Sequence, residues 1–217
     1  VEANGPLGLL GLLEFRHQEM VRTLRCEDQG WTQREPNPRC GCESTSEYMR
    51  TTEVLIDSIG RVAENVSAVL DDITAVQLTY RPSPQSNSIA WLIWHLTRVQ
   101  DAQISDVAGT DQVWITGGWF ETFGLPLPPG DTGYAHSPDD VGKVVVTDPG
   151  LLRDYHRATH RATVDYLGGL SDADLDDIVD ENWNPPVTLG VRLVSIIDDD
   201  AQHVGQAAYV KGMTGAA

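Results

Sequence analysis

From residue 51 onward, apolar side chains return every three or four positions. Leu55, Ile59, Val62, Val66, Val69 and Ile73 fall on one stripe, the signature of an amphipathic helix. Thr51 or Thr52 can cap its start, and the pattern predicts a helix to about residue 73. Tyr80-Arg81-Pro82-Ser83-Pro84 then breaks the chain, and Ser86, Asn87 or Ser88 can open a second helix reaching about Val107. A third is expected over residues 149–167, with Leu152, Tyr155, Thr159, Ala162 and Tyr166 on one stripe, and a fourth over residues 189–212. Residues 109–136 are rich in glycine, proline and aromatics and read as a long loop. Ser137-Pro138-Asp139-Asp140 opens a short helix, Ser171-Asp172-Ala173-Asp174 caps a short turn, and Trp183-Asn184-Pro185-Pro186 reads as extended. Four long amphipathic helices with one long connection, between the second and third, predict an all-α, up-down four-helix bundle.

Two of these helices carry polar groups inside apolar stripes. Leu92, His95, Val99 and Ala102 share one; Ile196, Asp199, His203, Gln206 and Val210 share the other. A carboxylate in an apolar interior is costly unless it has a partner. Residues four apart on a helix lie about 6 Å apart and point the same way, so Asp199 and His203 can bite one cation. His95 from a facing helix would complete a three-ligand site with open positions, the arrangement of a catalytic rather than a structural metal. Two imidazoles and a carboxylate suit zinc first, with nickel, iron or manganese as alternatives. The competing reading makes His95 and His203 hydrogen-bonded core histidines and Asp198 to Asp200 a solvated patch. Asp200, three residues before His203, could also stand in for Asp199.

Other polar and aromatic positions have two readings as well. His156 and His160 have the same i, i+4 spacing, but their stripe is more polar and flanked by Arg157 and Arg161; it reads as a half-exposed face from which one histidine could line a cavity. His136, just before a helix start, reads as a loop or capping residue. Trp91, Trp94, Trp114, Trp119, Phe120 and Phe123 either pack a core or form an aromatic wall over the metal's mouth. On the second view Trp114 and Trp119 are candidate ligand-binding residues, and Arg98, one turn beyond His95, is a candidate to hold a carboxylate.

Composition narrows the partners. A formal net charge of −17 disfavours nucleic acid and anionic membranes. No apolar run approaches the roughly 20 residues that span a bilayer. Phosphate-binding, dinucleotide, Gly-x-Ser-x-Gly and His-Glu-x-x-His motifs are absent. Residues 1–48 differ from the remainder and hold all three cysteines, Cys26, Cys40 and Cys42. They are expected to be a disordered or loosely attached extension. It is either an arm in which the cysteines and His17 bind zinc, with a helix over residues 9–24, or a stretch upstream of a natural start at Met49. The domain proper is expected over 49–217. The apolar run at residues 5–15 lacks a basic leader and a small-residue cleavage site, so a cytoplasmic location is expected.

Asn87-Ser88-Ile89-Ala90-Trp91-Leu92-Ile93-Trp94-His95-Leu96 resembles the second helix of DinB-like proteins, and Asp198-Asp199-Asp200-Ala201-Gln202-His203-Val204-Gly205-Gln206 resembles their last long helix. The loop Gly124-Leu125-Pro126-Leu127-Pro128-Pro129-Gly130-Asp131-Thr132-Gly133-Tyr134 is similar to that of actinobacterial members. The resemblance covers about residues 49–213 and implies a four-helix bundle, a homodimer, and a metal held by His95, Asp199 and His203. Asp199 departs from the usual His or Glu at its position. The resemblance further implies thiol-dependent transferase or isomerase activity on a small-molecule electrophile, with a low-molecular-weight thiol such as mycothiol; mycothiol-dependent maleylpyruvate isomerase is one branch. Members without known activity leave a non-catalytic metal-binding or stress-response protein as the alternative.

Overall fold

The structure, a computed structural model, describes residues 49–215. The readings for Cys26, Cys40, Cys42, His17, the helix over residues 9–24 and the extension as a whole lie outside the described residues. Four long helices dominate: α1 (Thr51–Leu70), α3 (Ile89–Ala108), α7 (Pro149–Gly168) and α8 (Leu189–Thr214). Between them come the short helices α2 (Ala75–Thr79), α4 (Val113–Thr116), α5 (Trp119–Phe123) and α6 (Pro138–Val141), and a 3-10 turn over Asp174–Asp176. Two short strands, β1 (Ile178–Asp180) and β2 (Val187–Thr188), pair antiparallel with Ile178 opposite Thr188 and Asp180 opposite Val187. The Trp183–Pro186 stretch forms the connection of this hairpin, which the sequence pattern predicts only as extended chain.

The helix starts follow local chemistry. Ser88 caps α3 by accepting the Trp91 N–H at 3.1 Å. Ser137 and Asp140 cap each other's backbone at the start of α6, and Thr188 accepts the Val191 N–H to open α8. At α1, Thr51 and Thr52 are the first helical residues rather than the cap; the start is held by Glu53, whose carboxylate accepts the Arg50 N–H at 2.9 Å. Gly109 ends α3 in the left-handed region, φ +65°, where a Cβ would be strained.

The bundle is assembled around α3. Leu55 and Ile59 of α1 meet Ile104, Leu167, Leu189, Leu193 and Ile196 at one end, while Val66, Val69 and Leu70 meet Ile89, Leu92, Leu152, Val204, Ala207 and Val210 toward the other. The first and last long helices therefore run one way, and α3 and α7 run the other. Cross-helix bonds Thr97–His156 and Gln100–Thr163 fix α3 and α7 side by side in the same direction. The long connection makes this possible by carrying the chain back to the end at which α3 began. Every residue from Ile89 to Asp101 is buried, because α7 and α8 flank α3 and the segment holding α4 and α5 roofs its outer side.

Candidate metal centre

His95 comes from the first half of α3, and Asp199 and His203 from the middle of α8. One ligand atom from each lies within 4.8 Å of the others, and all three residues are buried. The His95 and His203 rings meet edge to face at 4.7 Å between centroids. Among the described residues this is a group whose donors can close on one cation. Asp200 is not part of it. Its carboxyl is fully buried and neither oxygen has a hydrogen-bond partner among the described residues.

Hydrogen bonds set which nitrogen each imidazole presents. His95 Nδ1 lies 2.5 Å from the Thr132 carbonyl oxygen, and His203 Nδ1 lies 2.8 Å from the Asp199 carbonyl oxygen. A carbonyl only accepts, so both Nδ1 atoms carry the proton and both Nε2 lone pairs are left for a metal. Asp199 Oδ1 sits 3.5 Å from His203 Nδ1, while Oδ2 is buried with no partner among the described residues. An orphaned buried carboxylate oxygen on a residue clustered with two imidazoles fits a divalent cation.

The electrostatics agree. Burial first, and the neighbouring His203 second, hold the His95 imidazole down to about 3, so it is neutral at physiological pH. Burial raises the Asp199 carboxyl above its ordinary range against the opposing pull of His203, and burial with the Asp199 charge raises Asp200 well above it. No lysine or arginine is among the residues lining the cavity over the site.

A cavity of about 320 Å³ opens over these three residues, lined also by Asn87, Trp91, Gly133, Tyr134, His136 and Gln206. Trp91 stacks on His95 at 4.4 Å and 16°. The wall opposite α8 is the segment 129–136, braced from behind. Arg98 donates from Nε to the Asp131 carbonyl at 3.1 Å and from Nη2 to Pro129 and Gln112. Asp131 Oδ1 accepts the Gly133 N–H at 2.7 Å and lies 2.9 Å from His136 Nε2. The Trp91 indole N–H donates to His136 Nδ1 at 3.1 Å, so the Nε2 of His136 carries its proton. Gly133 has φ +87°, and a Cβ there would lie 2.7 Å from His95 Nδ1 and 3.0 Å from Trp94. Only glycine lets the loop come close enough to hold His95.

The other sequence-derived candidates sit elsewhere. Arg98 is fully buried, ion-paired with Asp101 at 3.5 Å and bonded to Tyr155. Trp114 is buried against Arg98, Phe123 and Tyr155, and Trp119 packs on Tyr155. None of the three is among the residues lining the cavity; Arg98 supports the loop that does. His156 is buried in the bundle rather than on a half-exposed face, with Nδ1 3.2 Å from the Thr97 hydroxyl. It does not reach the cavity, and neither does His160. The sequence pattern placed Asn87 only at a helix start, Asp131, Thr132 and Gly133 only within a loop, and His136 as a loop or capping residue. The Asp-x-Gly-x-x-His spacing was the available signal, since a short acid before a glycine favours a turn that closes on itself.

Two comparisons bear on this arrangement. The family model of the DinB superfamily matches residues 59–207. The crystal structure of a conserved protein from Enterococcus faecalis is similar at 38% sequence identity with a TM-score of 0.71, covering 76% of this chain and 96% of that one. No curated protein matches the chain.

Proposed function

The chain belongs to the DinB superfamily, and from that premise we propose that it is a divalent-metal-dependent enzyme that joins a low-molecular-weight thiol to a small electrophile, as an S-transferase or isomerase. The observation that carries this reading is the convergence of His95, Asp199 and His203, with one ligand atom from each within 4.8 Å of the others beneath an open cavity. Zinc suits two imidazoles and one carboxylate best; nickel, iron and manganese are accommodated by the same donors. Three protein ligands would leave coordination positions open toward the cavity.

A cation bound there would supply a positive charge that lowers the pKa of a coordinated thiol, giving thiolate at neutral pH. No cysteine lies from residue 43 onward, which accords with a small-molecule thiol, for which mycothiol is proposed. The residues around the ligands divide the remaining work. Thr132 and the Asp199 carbonyl hold both imidazoles with Nε2 presented. Trp91 covers one face of His95 and keeps water from it. Asn87 and Gln206 offer carboxamides at the rim that can bond the polar parts of thiol or substrate. His136 is not a free base: Nδ1 accepts from Trp91 and Nε2–H points to Asp131.

The described residues contain no helix long and apolar enough to cross a membrane. A cytoplasmic homodimer is proposed as the working form. The test has two readouts. Purified protein should carry stoichiometric metal by plasma mass spectrometry, and His203→Ala should lose it while keeping its helical circular dichroism. Metal-loaded protein should then consume a model electrophile such as monobromobimane with mycothiol. Metal retained in His203→Ala would refute the ligand set, and metal binding with no turnover across a broad electrophile panel would refute the enzyme.

A further inference from the structure

We propose that the apolar groove beside the metal cavity receives an uncharged, apolar arm of the substrate, so that the protein selects small amphiphiles with a metal-directed head; this rests on the metal reading above. The two spaces adjoin through shared lining residues. Asn87 and Gln206 line both the cavity over the ligands and a groove of about 480 Å³ along the same seam between α3 and α8. Beyond these two the groove is walled by Pro82, Leu92, Gly205, Tyr209, Val210 and Met213, with the Ser86 hydroxyl its one further polar side chain besides the Tyr209 phenol. Leu92 lies one turn before His95 on α3, and Val210 two turns beyond His203 on α8. The helices are antiparallel here, so both steps lead toward the same end, and the groove extends the ligand-bearing stripes along the bundle axis.

Its chemistry is one-sided. No acidic or basic residue lines it, in a chain of net charge −17. Tyr209 and Met213 are 72% and 45% exposed, leaving apolar surface in water next to the proposed reacting centre. A charged arm would give up its hydration with nothing to answer the charge, whereas an alkyl or aryl arm gains by burial. The order from the cation outward is therefore ligands, two carboxamides, then apolar wall. A molecule that fits it has a donor head, a polar neck and an apolar tail.

The probe is a series of n-alkyl hydroxamates, from acetohydroxamate to octanohydroxamate, titrated calorimetrically into zinc-loaded protein. Affinity is expected to rise by about fourfold per buried methylene. A Cβ at Gly205 meets nothing within 4 Å and Gly205 lines the groove, so Gly205→Phe can be accommodated and is the variant designed to obstruct the groove, its occupancy checked in a crystal structure of the variant. It should abolish the dependence on chain length while leaving zinc content and acetohydroxamate affinity unchanged. Met213→Glu should weaken only the long members. Affinity independent of chain length in zinc-loaded wild type, or an unchanged dependence in Gly205→Phe, would overturn the proposal and leave the metal reading standing. Failure to take up zinc would overturn both. A flat series together with a dimer that Met213→Glu dissociates would identify a second copy as the groove's occupant, and would also overturn it.

Discussion

Asp199 and Asp200 are neighbours with opposite surroundings. Asp199 faces two imidazoles, while Asp200 is fully buried with both oxygens unpartnered among the described residues. Asp199→Asn should weaken zinc binding by more than the roughly 100-fold that loss of an outer hydrogen bond can cost, whereas Asp200→Asn should leave it within a few-fold. Competition titration with a chromophoric chelator measures both. Gly133 makes a second prediction. A methyl group at this position would press on His95 Nδ1 and Trp94, moving the Thr132 carbonyl from the imidazole it orients. Gly133→Ala should lower zinc affinity by about 10- to 100-fold, measured by the same titration. The clustering of His95, Asp199 and His203 was legible in sequence because polar side chains in apolar helical stripes call for a partner. The bracing of His95 was not, because it depends on a loop whose path no periodicity encodes.

Among the elements, α1 and α8 kept close to their patterns. Leu55, Ile59, Val62, Val66 and Val69 are buried as their spacing requires, and the α8 stripe buries Ile196, Asp199, His203 and Val210 but leaves Gln206 exposed. α7 did not. Its buried side holds Leu152, Tyr155, His156, Thr159, Thr163 and Leu167, while Ala162 and Tyr166 of the expected stripe are only partly buried. The reason is polar pairing: Thr97 and Gln100 of α3 meet His156 and Thr163 of α7. A hydrophobic pattern cannot reveal a seam in which polar groups satisfy each other. Burial, and then His160, hold the His156 imidazole down to about 3, below its ordinary 6.5 when unfolded. The unfolded chain thus binds the extra proton first as pH falls. His156 favours folding above about pH 6.5, and that contribution is lost progressively toward pH 3. Chemical denaturation of His156→Gln should show a shallower decline between these limits than wild type, whatever its stability at pH 8. An equal decline in both proteins would contradict the assignment.

For the whole molecule, the sequence pattern indicated the all-α bundle, its long connection and the family. The short helices α2, α4 and α5 and the β1–β2 hairpin escaped it because they are too brief for a period to register. The parallel course of α3 and α7 escaped it because direction is set by where a connection ends, not by the helices it joins. The bundle and its site are coupled by mass action, since a ligand that binds only the folded chain stabilises it. Zinc at 100 times its dissociation constant should add about 2.7 kcal/mol, read as a rise in the apo protein's melting temperature that EDTA reverses. In the Asp199→Asn variant at the same zinc concentration the rise should largely vanish. The central claim, that distant parts of the chain meet on one cation, is tested most directly by anomalous diffraction at the zinc edge from crystals grown with zinc. The account predicts a peak bounded by His95 Nε2, His203 Nε2 and an Asp199 carboxylate oxygen, at roughly 2.0–2.2 Å from each. A peak bound elsewhere, or density showing those three side chains turned from one another around no ion, would contradict it.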